Sequence, residues 1–487
     1  MISVQSHQQP LSGNKIVIFL VAVLLLQSCS VSKPVSTSKD AQIVKAGNTT
    51  PPNDKSEPVE TRSEKNKENN KAANTKPAAD RDIKVILPVD TILWHDISDK
   101  NPPIIIKQKQ KVIFAEGLDF KDEYNVKLLI PLNSDAQTFP SESRFVHFYA
   151  GVLSALETLD EEDIRLNVRV IDTEEGNYKV KDNLNNLLSD NTDLIIGPFE
   201  REDLKILADE CKLNSVPLVS PWQTSTKITN ENPYYIQMKP NLKEHFLKRA
   251  ESTATEYQKG EVVIIGKNNK ETASWIQYFQ ETVAATQNIE DFYATYFVST
   301  DSLSVGPSAF TRLFKNNKLK AVIIPNYSYT DEDFIYACLR RLSAEKSGRN
   351  ISVYGMPILY DSDKIDFDFY NALKMKVVMS DFVDLDQGKI REFRRAYLDM
   401  YGEIPSDDAV KGYDLMLYLG RHIWKYGRNF QYYLENEATS YLQSVYDIKK
   451  ARSEDSPVSN DPLKFDYFEN KHLDIIEFTG NKWERKK

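Results

Sequence analysis

The feature that most constrains the fold is a regular alternation of strand-like and helix-like segments beginning at Tyr124. Tyr124–Leu132 is typical of a buried strand, and Ser141–Leu159 has apolar residues at helical spacing. Ile164–Val170 then alternates apolar and polar residues, as a half-buried strand does. Further helices are indicated at Val180–Leu188 and Leu204–Leu213, and further strands at Asp193–Gly197 and Val216–Ser220. Four strands separated by three helices predict a parallel sheet with right-handed crossovers.

The same alternation returns after about residue 240. Strands are predicted at Val262–Gly266, Phe292–Val298, Ala321–Pro325, Ile351–Met356, Lys376–Phe382, Phe465–Phe468 and Leu473–Phe478, and helices at Lys243–Glu256, Ala273–Ala285, Ala309–Asn316 and Glu332–Leu342. The chain of 487 residues is long enough for two or three domains. We therefore expect an α/β protein with two doubly wound parallel-sheet lobes of roughly 180 residues each.

Composition argues against most catalytic chemistry. The 17 glycines form no GxG pair, which excludes a Rossmann fingerprint and a phosphate-binding glycine loop. The three cysteines (Cys29, Cys211 and Cys338) lie far apart in sequence, and the six histidines form neither HxH nor HExxH. No nucleophile elbow is present either. We expect no enzyme activity, no catalytic residue, no metal site and no cofactor.

The distribution of charge disfavours nucleic acid as a partner. Residues 1–30 contribute +1 and residues 31–82 contribute +2 to the net charge of −9, so the remaining chain carries about −12. A surface of that sign repels a phosphate backbone.

The N-terminus resembles the export signal of a bacterial lipoprotein. Lys15 precedes the apolar run Ile16–Leu26, which is too short to span a bilayer. The run ends in Leu26-Gln27-Ser28-Cys29, which resembles a lipobox. The resemblance implies a signal peptide at 1–28, diacylation of Cys29 and, because no Asp follows the cysteine, retention at the outer membrane facing the periplasm. The alternative is a soluble exported protein in which Cys29 is incidental.

A polar segment separates this signal from the predicted lobes. No Phe, Tyr or Trp occurs between Phe19 and Trp94, and residues 31–82 are rich in Lys, Asn, Ser, Thr, Glu, Ala and Pro. Such a composition buries too little apolar surface to offset the entropy of ordering. We expect a disordered tether over 29–82, followed by an ambiguous extended segment over 83–120 that docks on the body or remains free.

Several motifs together resemble the type I periplasmic solute-binding proteins of the branched-chain amino-acid class. They are Asp193-Leu194-Ile195-Ile196-Gly197-Pro198, Val216-Pro217-Leu218-Val219-Ser220-Pro221, Asn232-Pro233-Tyr234-Tyr235-Ile236-Gln237, Tyr401-Gly402-Glu403-Ile404-Pro405 and Gly412-Tyr413-Asp414. The resemblance implies two lobes joined by three crossovers that close over a ligand by a hinge. It places 121–240 plus 383–455 in lobe 1 and 241–382 plus 456–487 in lobe 2. Cys211 and Cys338 then fall in different lobes, where we expect small buried hydrophobic residues rather than a disulfide.

A ligand of such a fold binds beyond the carboxyl ends of the strands. The loops there offer Trp222 and Tyr327 as apolar walls, and hydroxyl or amide groups on Asn133, Ser134, Gln223, Thr224 and Ser225. The alternative is that the two aromatic residues pack between the lobes and that the Thr/Ser run caps a helix.

The resemblance assigns Thr224 to the ligand's amino group. Where the family has a serine for the ligand's carboxylate, this chain has Phe199-Glu200-Arg201-Glu202-Asp203. Acidic residues at a helix N-terminus repel a carboxylate, although Arg201 can bind one in a bidentate manner. Either the ligand differs from an ordinary α-amino acid, or the cleft has lost its ligand.

Two functions follow from these alternatives. The first is a lipid-anchored receptor of the cell envelope that captures a small polar, amino-acid-like solute in the cleft between the lobes. The second is a ligand-free scaffold that regulates an envelope partner, for which the family offers a precedent in an outer-membrane lipoprotein that activates a peptidoglycan synthase. Both hypotheses place the protein at the membrane through its lipid anchor only.

Overall fold

The computed structural model describes a body that begins at Phe120. It covers residues 120–132, 144–173, 178–189, 191–287, 292–304, 308–436, 438–457, 461 and 464–486. These residues belong to one compact unit. Cys29, Asn133 and Ser134, the tether at 29–82 and the segment 83–119 lie outside the described residues. Within the described ranges, no helix is both long and apolar enough to span a membrane.

Strands and helices alternate along most of this body. The strands are β1 (Tyr124–Ile130), β2 (Leu166–Asp172), β3 (Leu194–Ile196), β4 (Leu218–Ser220), β5 (Tyr235–Gln237), β6 (Val262–Lys267), β7 (Ala294–Val298), β8 (Ala321–Ile323), β9 (Ser352–Gly355), β10 (Lys376–Met379), β11 (Thr439–Ser440), β12 (Val445–Tyr446), β13 (Ile448–Ala451), β14 (Tyr467–Asn470), β15 (Asp474–Thr479) and β16 (Lys482–Arg485). The α-helices are α1 (Arg144–Glu161), α2 (Val180–Leu187), α3 (Arg201–Asn214), α4 (Leu242–Glu256), α5 (Lys270–Gln287), α6 (Thr300–Ser304), α7 (Glu332–Glu345), α8 (Ile358–Asp361), α9 (Phe367–Ala372), α10 (Gly388–Tyr401) and α11 (Asp407–Tyr426). The helix predicted at Ala309–Asn316 is reduced to a single 3₁₀ turn, Leu313–Lys315.

Fourteen of these strands form two seven-stranded sheets, each the centre of one lobe, and β11 and β12 form a separate antiparallel pair. The first has the order β13-β14-β5-β4-β3-β1-β2, and the second has the order β16-β15-β10-β9-β8-β6-β7. Pairing is parallel from β2 across to β14 in the first sheet and from β7 across to β10 in the second. Strands β13, β15 and β16 add in antiparallel pairs. The predicted α/β class with two doubly wound lobes is confirmed.

The chain passes between the lobes three times, after β5, after β10 and after β14. We had expected 456–487 to lie wholly in lobe 2, but β14 pairs with β5 in the first sheet. The third crossover therefore follows Asn470. The physical reason is packing: the Tyr467 ring lies 5.8 Å from that of Tyr235, and both are buried.

Apolar helix faces cover both sides of each sheet. Helices α1 and α11 share one core of lobe 1 with β1, and α2 and α3 share another on the opposite face. In lobe 2, α4 and α5 cover one face, and α7 to α9 cover the other. Cys211 and Cys338 are free thiols buried in different lobes, which confirms their predicted role as small hydrophobic residues.

Two glycines permit the close crossing of α1 and α11. A Cβ atom at Gly412 would lie 2.1 Å from the backbone oxygen of Phe148, and one at Gly151 would lie 1.8 Å from that of Ala409. Any larger residue at these positions would push the helices apart. The crossing fixes the first turn of each helix at the strand-end edge of lobe 1.

Candidate functional site

An aromatic cluster lines the strand-end edge of lobe 1. The ring of Trp222, which follows β4, lies 5.6 Å from Phe145, 5.2 Å from Phe148 and 5.8 Å from Phe199. The Arg144 guanidinium lies over two of these rings, 5.2 Å from Phe145 and 5.6 Å from Phe199. Such a cation–π arrangement holds a positive charge at the edge of the lobe.

The parallel sheet explains why residues distant in sequence meet here. Strands β1, β3 and β4 point the same way, so the segments that follow them share one edge. Gly197 ends β3 with φ +91°, and a Cβ there would lie 2.2 Å from the Leu129 oxygen. Only glycine fits that approach, which brings Phe199 and α3 to the site.

The predicted polar residues of lobe 1 divide into two groups. Gln223 and Ser225 already bond within the lobe: Gln223 Nε2 donates to the Phe199 oxygen at 3.0 Å, and Ser225 Oγ accepts the Lys227 amide at 3.2 Å. Thr224 and Arg201 are exposed. Within the described residues, neither of their side chains forms a hydrogen bond or an ion pair. They remain available to a ligand.

Tyr327 follows β8 on the corresponding edge of lobe 2. Its ring is 39% exposed and meets Trp275 of α5 edge-on at 5.3 Å. Partial burial and the nearby carboxylates Glu271 and Asp331 raise the pKa of Tyr327. A cavity of about 20 Å³ lies beside these rings. That is room for one water molecule.

A polar network supports this second edge. Lys267 Nζ lies 2.9 Å from Asp331, which also accepts a 2.7 Å hydrogen bond from Asn326 Nδ2. The Asn326 side-chain oxygen is buried without a partner among the described residues. An unsatisfied acceptor of this kind is costly unless water or a ligand donates to it.

Charged groups of the two lobes face each other between these edges. Burial and the neighbouring Asp407 raise the pKa of Asp361, while Lys411 opposes the rise. Asp361 ends α8 in lobe 2, whereas Asp407 and Lys411 lie in the first turns of α11 in lobe 1. The carboxyl of Asp361 is therefore close to charges of the other lobe.

Tyr329, at the other side of the site, is also close to charges of both lobes. Burial and the carboxylates Asp361 and Glu332 raise the pKa of this lobe 2 phenol, and Arg144 of lobe 1 opposes them. The strand-end edges thus face one another, as a cleft requires.

Sequence reasoning missed Arg144, Asp361 and Lys411. Arg144 and Asp361 lie in helices that follow β1 and β9, so their positions after a predicted strand could have indicated them. Lys411 carried no such signal, because α11 follows another helix rather than a strand. The described residues contain no cluster of side chains that could hold a metal ion.

The comparisons with known proteins agree with this architecture. Residues 152–324 match the model of the receptor family ligand binding region. Among curated protein sequences, none matches the chain significantly.

Solved structures share the fold at low sequence identity. A branched-chain amino acid ABC transporter protein from Rhodospirillum rubrum is 14% identical, with a TM-score of 0.55 over 74% of this chain and 99% of that one. A branched-chain amino acid ABC transporter periplasmic ligand-binding protein from Burkholderia xenovorans is 10% identical, with a TM-score of 0.52 over 75% and 94%. Haemophilus influenzae LpoA is 12% identical, with a TM-score of 0.50 over 81% and 67%. The body has the type I periplasmic binding protein fold, which confirms the resemblance found in the sequence.

Proposed function

We propose that this protein is a lipid-anchored solute-binding receptor of the cell envelope, which captures a small polar, amino-acid-like molecule between its lobes. The observation that carries the proposal is the opposition of charge across the cleft. Arg144 lies on lobe 1 and Asp361 on lobe 2, and both act on the pKa of Tyr329. The carboxylate of a zwitterion can pair with Arg144, and its ammonium group can pair with Asp361.

The surroundings of these charges support a small ligand. Trp222 and Phe199 form an apolar wall on lobe 1, and Tyr327 and Trp275 form one on lobe 2. Aromatic walls with few polar groups are typical of small-molecule sites. Closure of the hinge would bring the walls together and remove the ligand from water.

Individual contacts are part of the same proposal. Thr224 is proposed to bind the solute's amino group, and Arg201 is a second candidate for its carboxylate. Trp222 and Tyr327 would contact its apolar part, while Gln223 and Ser225 would contribute only after exchanging their present bonds. Asn133 and Ser134, which follow β1 in the sequence, are proposed as further polar contacts on that ground alone.

A thermal-shift screen of the purified protein tests the proposal. The panel is free amino acids, short peptides and soluble cell-wall fragments. A ligand at 100 times its Kd adds about 2.7 kcal/mol to the free energy of unfolding, a rise of a few degrees in Tm. Thr224→Ala should weaken binding of any ligand found, whereas Thr300→Ala, at the start of α6 in lobe 2, should not. Unchanged affinity in Thr224→Ala would remove that residue from the site.

The anchor has its own test. Cells supplied with radiolabelled palmitate should label the native chain, and a Cys29→Ala variant should remain unlabelled. Label that persists in the variant would contradict lipidation at Cys29. Fractionation of the envelope then tests the proposed outer-membrane location.

A second function, the ligand-free scaffold, has one observation in its favour. Burial and Glu200 raise the pKa of Asp203 at the start of α3, so acidic groups crowd the position where the family binds a carboxylate. The scaffold hypothesis predicts that no solute of the panel raises Tm. It also predicts direct binding to an envelope partner such as a purified peptidoglycan synthase. A ligand that stabilises the protein through Thr224 would decide for the receptor.

A further inference from the structure

Lobe 1 contains a second cavity, away from the cleft between the lobes. It has a volume of about 530 Å³ and lies between α1, α10, α11 and the segment 440–442. Its walls include the aromatic residues Phe393, Tyr397, Tyr413 and Tyr441. A volume in this range accommodates a small organic molecule.

The position of the cavity separates it from the proposed receptor site. Helix α1 begins at Arg144 on the cleft edge, but the cavity is lined by its second half, Ser154 to Glu161. Helix α11 likewise begins at the cleft, and it lines the cavity from Tyr413 in its second turn to Arg421 near its far end. None of the residues predicted for the cleft lines this cavity.

The aromatic residues form a continuous wall. The ring of Phe393 lies 4.5 Å from Tyr413 and 5.8 Å from Tyr397. The guanidinium of Arg421 lies over the separate ring of Tyr441 at 5.7 Å, so that ring already carries a cation. The hydroxyl of Tyr397 is buried and has no hydrogen-bond partner among the described residues. Its oxygen is free to accept a hydrogen bond.

Carboxylates dominate the rim. Glu157, Glu161 and Glu392 are exposed, and none of them forms an ion pair with any described residue. Arg421 is neutralised by Glu162, to which its Nε donates at 2.9 Å. Lys389 is the other cation of the lining, so three unpaired carboxylates face one unpaired ammonium. The net charge of the rim is negative.

We propose that this cavity binds a small organic cation, an ammonium group carried on an apolar body. The aromatic faces and the acidic rim attract the positive charge, and the apolar wall accepts the body. A primary ammonium can also donate to the Tyr397 hydroxyl oxygen, which satisfies a group that is otherwise left without a partner. This site does not depend on the proposed receptor function, because the two share no residue.

Isothermal titration calorimetry of the full chain tests the site with four benzyl compounds. Benzylamine should bind at least about fivefold more tightly than neutral benzyl alcohol, and phenylacetate should not bind. The double variant Glu161→Gln/Glu392→Gln should lose about five- to tenfold in benzylamine affinity, the effect of two partly exposed ion pairs. Tyr397→Phe should weaken benzylamine about threefold, the effect of one hydrogen bond, and leave benzyltrimethylammonium unchanged.

Two control variants make the outcome decisive. Asp399→Asn removes an exposed carboxylate of α10 outside the cavity, and Thr224→Ala alters the cleft. Both should bind benzylamine as the native chain does. Equal affinity for benzylamine and benzyl alcohol, or full affinity in the Glu161→Gln/Glu392→Gln variant, would overturn the proposal. Loss of binding in Thr224→Ala would place the amine in the cleft and overturn it as well.

Discussion

Lys239 and Asp381 form an ion pair that joins two of the three connections between the lobes. Lys239 follows β5 at the first crossover, and Asp381 follows β10 at the second. Both side chains are about four-fifths buried, and Lys411 of α11 approaches the same carboxylate at 3.7 Å. A partly desolvated cluster of charges therefore joins the first two connections between the lobes.

Asp381→Asn should lower the free energy of unfolding by about 2 kcal/mol, because Lys239 is left partly buried without its counter-charge. Urea denaturation measures the change. Asp386→Asn is the control, since Asp386 and its partner Lys482 are both exposed and solvent screens their pair, so its loss should cost clearly less than that of the buried pair. Equal losses in the free energy of unfolding in the two variants would show that the Lys239–Asp381 pair stabilises the fold no more than an exposed pair does.

Glu256 makes the stability of lobe 2 fall with pH in the acidic range. Burial alone would raise the pKa of this carboxyl, but hydrogen bonds from Lys376, Lys486 and Tyr354 outweigh it and bring the pKa to about 2. The unfolded chain has a pKa near 4.5, so the stabilisation is complete above that value and is lost as the pH falls toward 2.

We expect this loss to be about 2 kcal/mol after allowance for solvent screening. Unfolding measured at several pH values should show the native chain losing stability between pH 4.5 and 2, and Glu256→Gln losing less over that interval. Glu251→Gln, on the exposed face of the same helix, should follow the native profile. Parallel profiles for Glu256→Gln and the native chain would contradict the assignment.

Gly412→Ala should destabilise lobe 1 by about 3 kcal/mol, because its Cβ would overlap the backbone of Phe148 and separate α1 from α11. Gly388→Ala is the matched substitution at the first residue of α10, where no atom lies within 4 Å of the new Cβ. It should leave Tm unchanged or raise it slightly. A similar Tm for both variants would show that the helix crossing tolerates a methyl group.

Arg144→Gln should weaken any carboxylate-bearing ligand of the cleft about tenfold, the effect of one charge-assisted hydrogen bond. Arg165→Gln provides the control, because Arg165 is exposed just before β2, at the opposite edge of the sheet. Titration calorimetry with the ligand found in the thermal screen measures the affinity of both variants. Undiminished affinity in Arg144→Gln would remove this guanidinium from the binding site.

The sequence predicted most of the strands and helices because the alternation of apolar strands and amphipathic helices is a local signal. The sheet that a strand joins, by contrast, is decided by contacts with residues distant in the sequence. The pattern at Tyr467–Asn470 indicates a strand in either lobe, and only the contact between Tyr467 and Tyr235 shows that it belongs to the first sheet. The final crossover could not be located from periodicity for this reason.

The site was predictable only in outline. Trp222 was expected as a ligand wall, and the structure packs it among three rings of its own lobe. Arg144, by contrast, belongs to no motif, since its importance comes from its electrostatic effect on a lobe 2 side chain, Tyr329. Pairings across a cleft depend on tertiary geometry that spacing in the sequence does not encode.

Ligand-induced closure of the two lobes is the central claim, and small-angle X-ray scattering on the purified protein tests it most directly. The sample is titrated with the amino acid, peptide or cell-wall fragment that raises Tm most. The account predicts a smaller radius of gyration at saturation, and in Arg144→Gln both the compaction and the rise in Tm should require about tenfold more ligand. A panel that leaves Tm unchanged throughout, or a stabilising ligand that binds without compaction, would contradict it.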